Sequence, residues 1–383
     1  MNSAELGERF KNLYGTKPKI FHAPGRVNLI GEHTDYNDGF VMPCALGFSV
    51  HVAVSPRSDS RLFMKSENFA QLFEFDAVNL PPQRLGDWCD YALGVAVMLR
   101  RAGFSLPGAS LLISSDVPIG AGLSSSAAIE VATASALLSL SGAKLPLPEL
   151  AKLCQRAENE FVGARCGIMD QFISCLGRAD HALLLDCRSL DFKLVPMAPA
   201  ARLVICNTMV KHELSGGEYN RRRAECEEGV KVLSKWYPDI RALRDVSAEQ
   251  LDEHARELPD NVYKRCAHVI GENQRTLDGS ECLAQGELHG FGKLMGESHR
   301  SLRDLYKVSC RELDIMVESA EGLPGFWGGR MTGGGFGGCT VNLVNASDAK
   351  AFATKIAESY TQATGIRPDV YICFAADGAG ADS

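Results

Sequence analysis

Apolar residues follow two rhythms along this chain. Short apolar runs punctuated by glycine, proline or asparagine occupy residues 20–23, 40–43, 49–55, 61–65 and 110–114 and predict strands. The spacing turns helical over residues 124–140, 147–161 and 170–176; the first of these is apolar nearly all round, which predicts a buried helix. Strand-like runs at 181–187 and 202–207 lead into a mainly helical region from Glu218 to about Gly322. A glycine-rich stretch at 328–338 then feeds a strand over 339–344, a helix over 348–364 and a strand near 370–375. Residues 377–383 are small and polar and are expected to fray. Strands in runs, then helices, then a strand-helix-strand close predict an α+β fold. Because 383 residues exceed what one core supports, two lobes are expected, residues 1–195 and 196–383.

Composition narrows the function classes. A net charge of -7 argues against nucleic-acid or anionic-membrane partners. Arg221, Arg222 and Arg223 form a short basic run, but Glu225, Glu227 and Glu228 follow on the same predicted helix, so a solvated, salt-bridged face is expected. Thirteen cysteines without a C-x-x-C pair suggest neither a zinc ribbon nor a disulfide framework. The amino terminus lacks an apolar signal core, and a cytoplasmic protein is expected.

Three segments concentrate chemistry. Pro118-Ile119-Gly120-Ala121-Gly122-Leu123-Ser124-Ser125-Ser126 follows a strand and opens the buried helix. Its glycines let backbone approach a ligand, its serines can cap the helix, and unpaired N–H groups at the helix start favour an anion such as polyphosphate. No lysine follows the second glycine, which excludes a Walker A loop. The segment from Gly25 through Arg26, Asn28, Gly31, Glu32, His33, Thr34, Asp35 and Tyr36 to Asn37 crowds donors and acceptors into one short stretch. That density suits a polyhydroxylated ligand, with a metal site on Glu32, His33 and Asp35 as the competing reading. In the third, Gly333-Gly334-Gly335-Phe336-Gly337-Gly338, the letters fit G-x-G-x-x-G. A dinucleotide fingerprint should open a helix, however, and this run feeds a strand, so close backbone packing against a ligand or loop is the better reading.

In this order the three segments resemble the three motifs of the GHMP small-molecule kinases, and residues 25–36 resemble the galactokinase signature within that family. The likeness extends through residues 166–172, 186–190, Glu218-Tyr219 with Arg222 and Arg223, and 297–302, so it covers nearly the whole chain. It implies a two-lobed fold, the first lobe like ribosomal protein S5 domain 2 and the second ferredoxin-like, with the site between them. ATP is then expected over Gly120, Ala121, Gly122, Leu123, Ser124, Ser125 and Ser126, with Ser66 as a further ATP contact, Trp88 near the adenine and Mg²⁺ on Ser126 and Glu158. Galactose is expected on Glu32, His33, Thr34, Asp35, Gly167, Asp170 and Tyr219.

The same resemblance puts Asp170 beside the reacting anomeric hydroxyl and Arg26 beside Asp170. A carboxylate there can take or orient the hydroxyl proton, and a guanidinium can steady the transferred charge. The implied protein is an ATP-dependent sugar 1-kinase acting as a monomer on galactose. An N-acetylgalactosamine or arabinose 1-kinase, or a non-catalytic galactose and ATP sensor, would share most of these motifs. Ala121 departs from relatives with glycine at that place, a small enough change that no loss is expected.

Overall fold

The computed structural model describes residues 2–118, 120–211 and 215–382, so Ile119 of the serine-glycine segment lies outside the described residues. The first elements are α1 (Ser3–Tyr14), β1 (Lys19–Asn28), β2 (Phe40–Val41), β3 (Pro43–Pro56), β4 (Arg61–Ser66) and β5 (Leu72–Asp76). Helix α1 was not expected from apolar spacing, yet it has clear end signals. Asn2 and Glu5 form a capping box, Gly15 closes it in the left-handed region, and Leu6 and Phe10 pack on Ala53 and Leu112.

Next come α2 (Asp90–Arg101), β6 (Ala109–Ser115), α3 (Ser125–Ser141), α4 (Leu147–Arg156), α5 (Met169–Leu176), β7 (His181–Asp186) and β8 (Phe192–Pro196). The expected helix over 147–161 changes at Ala157 into one wide turn ending at Val162. Such bulges re-aim side chains, and this one holds Glu158.

The remainder comprises β9 (Ala201–Lys211), α6 (Ser215–Leu233), α7 (Ala248–Glu253), α8 (Asp260–Gln285), α9 (Leu288–Ser301), α10 (Arg311–Ala320), β10 (Phe326–Met331), β11 (Gly337–Asn345), α11 (Ala349–Thr364), β12 (Asp369–Cys373) and β13 (Gly380–Asp382). Among the described residues no helix is long and apolar enough to cross a membrane.

A six-stranded sheet runs β13-β1-β3-β6-β4-β5, a four-stranded one β10-β11-β9-β12, and a small one β2-β7-β8. Alternation along β9 explains how the second sheet is placed. Leu203 and Ile205 face the large core shared with the first sheet, while Val204 and Cys206 face Phe352, Ile356 and Tyr360 of α11. Residues 380–382 do not fray. Gly380–Asp382 pair with β1, and Asp382 accepts from His22 at 2.5 Å and His51 at 3.1 Å, so a polar composition hid an edge strand tied by side chains.

The basic run on α6 is likewise only partly solvated. Arg221 and Arg223 pair with Glu225 and Glu227, but Arg222 is buried and donates to the Tyr306 and Lys307 carbonyls at 2.8 and 2.9 Å.

Helix α9 meets β10 backbone to backbone: a Cβ on Gly292 would overlap the Trp327 carbonyl, and one on Gly328 would overlap Gly292. Gly292→Ala should therefore destabilise the fold by about 1–3 kcal/mol, the usual range for overpacking. Urea denaturation reads this directly; an unchanged midpoint would show that the contact yields without cost.

Candidate active site

The register of β1 against β3 shifts between Pro24 and Arg26. At this bulge Gly25 lies so close to the phosphate-type loop that a Cβ would stand 2.7 Å from the Leu123 carbonyl, which accepts from Arg26 N at 3.0 Å. The bulge aims the Arg26 side chain at the start of α5. Arg26 Nε and Nη2 donate to the two Asp170 oxygens at 2.8 and 3.0 Å, and Nη1 donates to the Gly122 carbonyl at 2.7 Å. The guanidinium is buried, whereas the Asp170 side chain keeps 26% of its exposure. One carboxylate is thus fixed by a planar fork yet open to a ligand.

Ser124 stands at the start of α3 in the left-handed region, φ 58°, and makes no cap. Its hydroxyl donates to Asp170 Oδ2 at 2.5 Å instead. Gly120 and Gly122 supply the other positive φ angles of this loop. Facing it, Gly334, Gly335, Gly337 and Gly338 complete a cavity of about 360 Å³ that also takes in Ser125, Ser126, Arg26 and Asp170. Only glycine fits at Gly335, where a Cβ would overlap Val308. Ala121 is buried beneath the loop, so its methyl replaces no ligand-facing atom.

A second cavity of about 150 Å³ shares Arg26, Asp170 and Gly334 with the first and adds Glu32, His33, Asp35, Gly167 and Tyr219. Glu32 accepts from Gly333 N at 2.6 Å and faces the buried Arg330 at 3.5 Å. Asp35 closes against Gly167 so tightly that a Cβ there would overlap its carboxylate, which explains the glycine. Burial first, and the nearby Asp170 next, push Asp35 up to about 7. Burial drives His33 the other way, down to about 3, so this imidazole is neutral.

Helix α8 backs this loop. Glu272, fully buried, accepts from Gly31 N at 3.0 Å, Ser298 at 2.6 Å and Arg275 at 2.8 Å. His268 approaches the Glu32 carbonyl at 3.2 Å, and Asn273 accepts from Phe40 N at 3.0 Å.

Three expected ligand residues stand elsewhere. Thr34 is fully buried and its hydroxyl is spent on the Gly31 and Phe40 carbonyls, so it braces the loop rather than facing either cavity. Trp88 stacks on Phe69 with centroids 6.0 Å apart and meets Phe73 edge-on. Ser66, also buried, accepts from Asn68 N at 3.0 Å. Neither Trp88 nor Ser66 lines the two cavities.

Ser126 and Glu158 do come together, the serine hydroxyl offsetting part of the rise in the Glu158 carboxyl. Behind them Gln171 Nε2 donates to Glu158 at 2.6 Å and to the fully buried Glu130 at 3.0 Å. Sequence reasoning missed Glu130, Glu272 and Arg330. For Glu130 a signal existed, since it is the one charge inside an otherwise apolar helix; for the other two, distance along the chain hid the contact.

Residues 8–56 match the galactokinase galactose-binding signature, 90–178 the GHMP kinases N terminal domain and 280–362 the GHMP kinases C terminal. A galactokinase of Roseiflexus sp. (strain RS-1) is 48% identical, with 99% of this chain and 97% of that protein covered. The chain belongs to the galactokinase family. Its fold accordingly superposes on Lactococcus lactis galactokinase complexed with galactose, with a TM-score of 0.94 and 35% identity over 98% of this chain and 99% of that one. Methanococcus jannaschii mevalonate kinase, 18% identical with a TM-score of 0.67 over 95% of this chain and all of that one, shares the fold alone. Members of the galactokinase family are ATP-dependent sugar kinases, and this chain is one of them.

Glu158 offers a pH test. Burial, and then Asp170, raise its carboxyl from 4.5 to about 7. A group that holds its proton more tightly when folded lowers stability as pH rises from the unfolded value through the folded one. In the absence of divalent cations, Glu158→Gln should therefore gain stability relative to the parent between about pH 5 and about pH 8, on the order of 1–3 kcal/mol. Urea denaturation at both pH values checks this, and parallel curves would contradict the raised value.

Proposed function

We propose that this chain transfers the γ-phosphoryl group of ATP to the anomeric hydroxyl of D-galactose, giving galactose 1-phosphate and ADP. The supporting observation is that a glycine- and serine-walled cavity and a smaller polar one share Asp170 and Arg26. In this reading the polyphosphate lies on Gly120, Gly122, Ser124, Ser125 and Ser126, while Glu32, His33, Asp35, Gly167 and Tyr219 surround the sugar. The lobes are taken as residues 1–195 and 196–383.

Asp170 accepts the hydroxyl proton or orients the hydroxyl in line with the γ-phosphorus. Its bonds to Arg26 and Ser124 fix its direction beforehand, so little reorganisation is needed at reaction. Phosphoryl transfer passes through a loose transition state, and positioning is then the larger share of the work. Arg26 already spends three N–H groups, so its part is to hold Asp170 in direction and to lend charge.

Mg²⁺ fits the pair Ser126 and Glu158. Both offer oxygen, and the buried Glu158 carboxyl lies near Asp170 with no cationic side chain among the described residues bonded to it, a donor set that suits a hard cation. When bound, the ion would neutralise charge on the phosphates.

Coupled ADP release with galactose, N-acetylgalactosamine, glucose and arabinose tests the proposal; turnover should be highest with galactose, and none with any of the four would overturn the kinase reading. Asp170→Asn should bind galactose by calorimetry yet lose about two to four orders of magnitude in kcat, the range of a general base. A near-normal kcat would remove Asp170 from the chemistry. Ser126→Ala and Glu158→Ala should each raise the Mg²⁺ concentration needed for half-maximal rate, and full activity in excess chelator would refute the metal assignment.

A further inference from the structure

His33 begins a chain of hydrogen bonds that leads away from the sugar cavity. Its Nδ1 lies 2.7 Å from Tyr36 Oη, which lies 2.8 Å from Tyr306 Oη, which lies 3.2 Å from Cys226 Sγ. At the other side of the ring, Nε2 is buried and has no protein partner, although His33 lines the smaller cavity. The main chain is pinned as well: φ is 64°, and Asn37 Nδ2 donates to the His33 carbonyl at 2.9 Å. Tyr306, Tyr219 and Tyr36 surround the imidazole with centroids at 4.7, 5.6 and 5.9 Å.

Each hydroxyl in such a chain carries one proton, so the chain can run in only two directions. Run towards His33, both phenol protons point to the imidazole end and Nδ1 accepts, which leaves the ring proton on Nε2. Run the other way, the last phenol proton ends on a thiol sulfur, a weak acceptor, and Nδ1 must donate to a phenol oxygen. An imidazole nitrogen is the far better acceptor, so the first direction wins. Burial, with His268, Arg330 and Arg222 nearby, keeps the ring neutral, and Glu272 opposes them only in part. There is then a single ring proton to place.

We propose that Tyr36 and Tyr306 are positioning residues that fix the His33 proton on Nε2, so that His33 presents a hydrogen-bond donor to one hydroxyl of the sugar. This rests on the reading of the smaller cavity as the galactose site. Specificity follows from it: a buried donor left unpaired is costly, so a sugar lacking that hydroxyl, or turning it away, is rejected more strongly than lost attraction alone would give.

The tautomer can be read without substrate. Two-bond ¹H–¹⁵N correlation on the full chain labelled at histidine, with His33 assigned by its loss in His33→Gln, should show a protonated Nε2 and an unprotonated Nδ1. In Tyr36→Phe the resonances should move towards a mixture of tautomers. The same variant should raise KM for galactose about 10-fold while kcat changes less than about threefold, the size expected for one polar contact. Tyr306→Phe, one bond further away, should act in the same direction and less. Across the 2-, 3-, 4- and 6-deoxygalactoses, the Tyr36→Phe penalty on KM should vanish for one analogue, the one lacking the hydroxyl that His33 binds.

A proton on Nδ1 in the parent protein would overturn the proposal. So would an unchanged tautomer and unchanged KM in both phenylalanine variants. If Tyr36→Phe did not fold, Tyr306→Phe and the parent spectrum would still decide. A parent chain that released no ADP with galactose would sink the substrate reading and with it the named ligand, while the spectrum would separately decide the tautomer.

Discussion

The ion pair between Arg26 and Asp170 organises this molecule. It spans 144 residues of sequence and joins β1, the serine-glycine loop and α5, because Arg26 also binds the Gly122 carbonyl. A buried guanidinium costs several kcal/mol to desolvate, and a well-packed apolar pair would serve stability as well or better. Its presence is therefore poorly explained by stability. It is well explained by the need for a carboxylate whose direction is set and whose remaining surface opens on two cavities at once. The bulge at Gly25 and the left-handed Ser124 are local departures from regular geometry that this pairing requires.

The sugar-type loop has a different support. Between β1 and β2 the chain makes few ladder bonds, so its N–H and C=O groups need partners from elsewhere. Helix α8 supplies them from a polar buried face: Glu272 takes Gly31 N, Asn273 takes Phe40 N, and His268 meets the Glu32 carbonyl. Glu272 is held down to about 2 despite its burial, through Arg275, His268 and Arg330. The helix acts as a template for the loop backbone, while Thr34 and Asn37 close the loop on itself.

Much of this was legible in the chain. The strands at 20–23, 49–55, 61–65, 110–114 and 202–207 and the helices over 124–140 and 170–176 follow from period alone, whereas β5, β8 and β10 were not expected, and the three motif segments do meet around one pair of cavities. What could not be read is what depends on close approach between distant segments. Ser66 ends β4 and bonds the turn that follows it, while Trp88 packs on Phe69 and on Phe73 of the edge strand β5. The tail at 380–382 has no apolar rhythm, and it pairs because His22 and His51 meet Asp382. Arg222 looked like one member of a solvated run, but the loop after α9 folds over it and takes its donors. For the tail and for Arg222, a short-range pattern was overruled by long-range polar contacts.

The distribution of charge around the cavities adds a last constraint. Asp170, Asp35, Glu32 and Glu158 converge, with Arg26 and Arg330 as the buried cations facing them. The protein concedes part of this excess by letting Asp35 and Glu158 rise to about 7, where each is only partly ionised near neutrality. A bare polyphosphate entering such a site would meet repulsion from Asp170 and Glu158 that the loop N–H groups and one already committed arginine offset only in part. Under the proposed function, the nucleotide and its cation must therefore arrive as a unit or be joined in the site, and the cation's share grows as pH rises and Glu158 loses its proton. Under the same proposal the sugar, being uncharged, is subject to no such requirement, and its selection rests on the shape of the smaller cavity and on hydrogen-bond direction, to which the tautomer of a neutral histidine contributes.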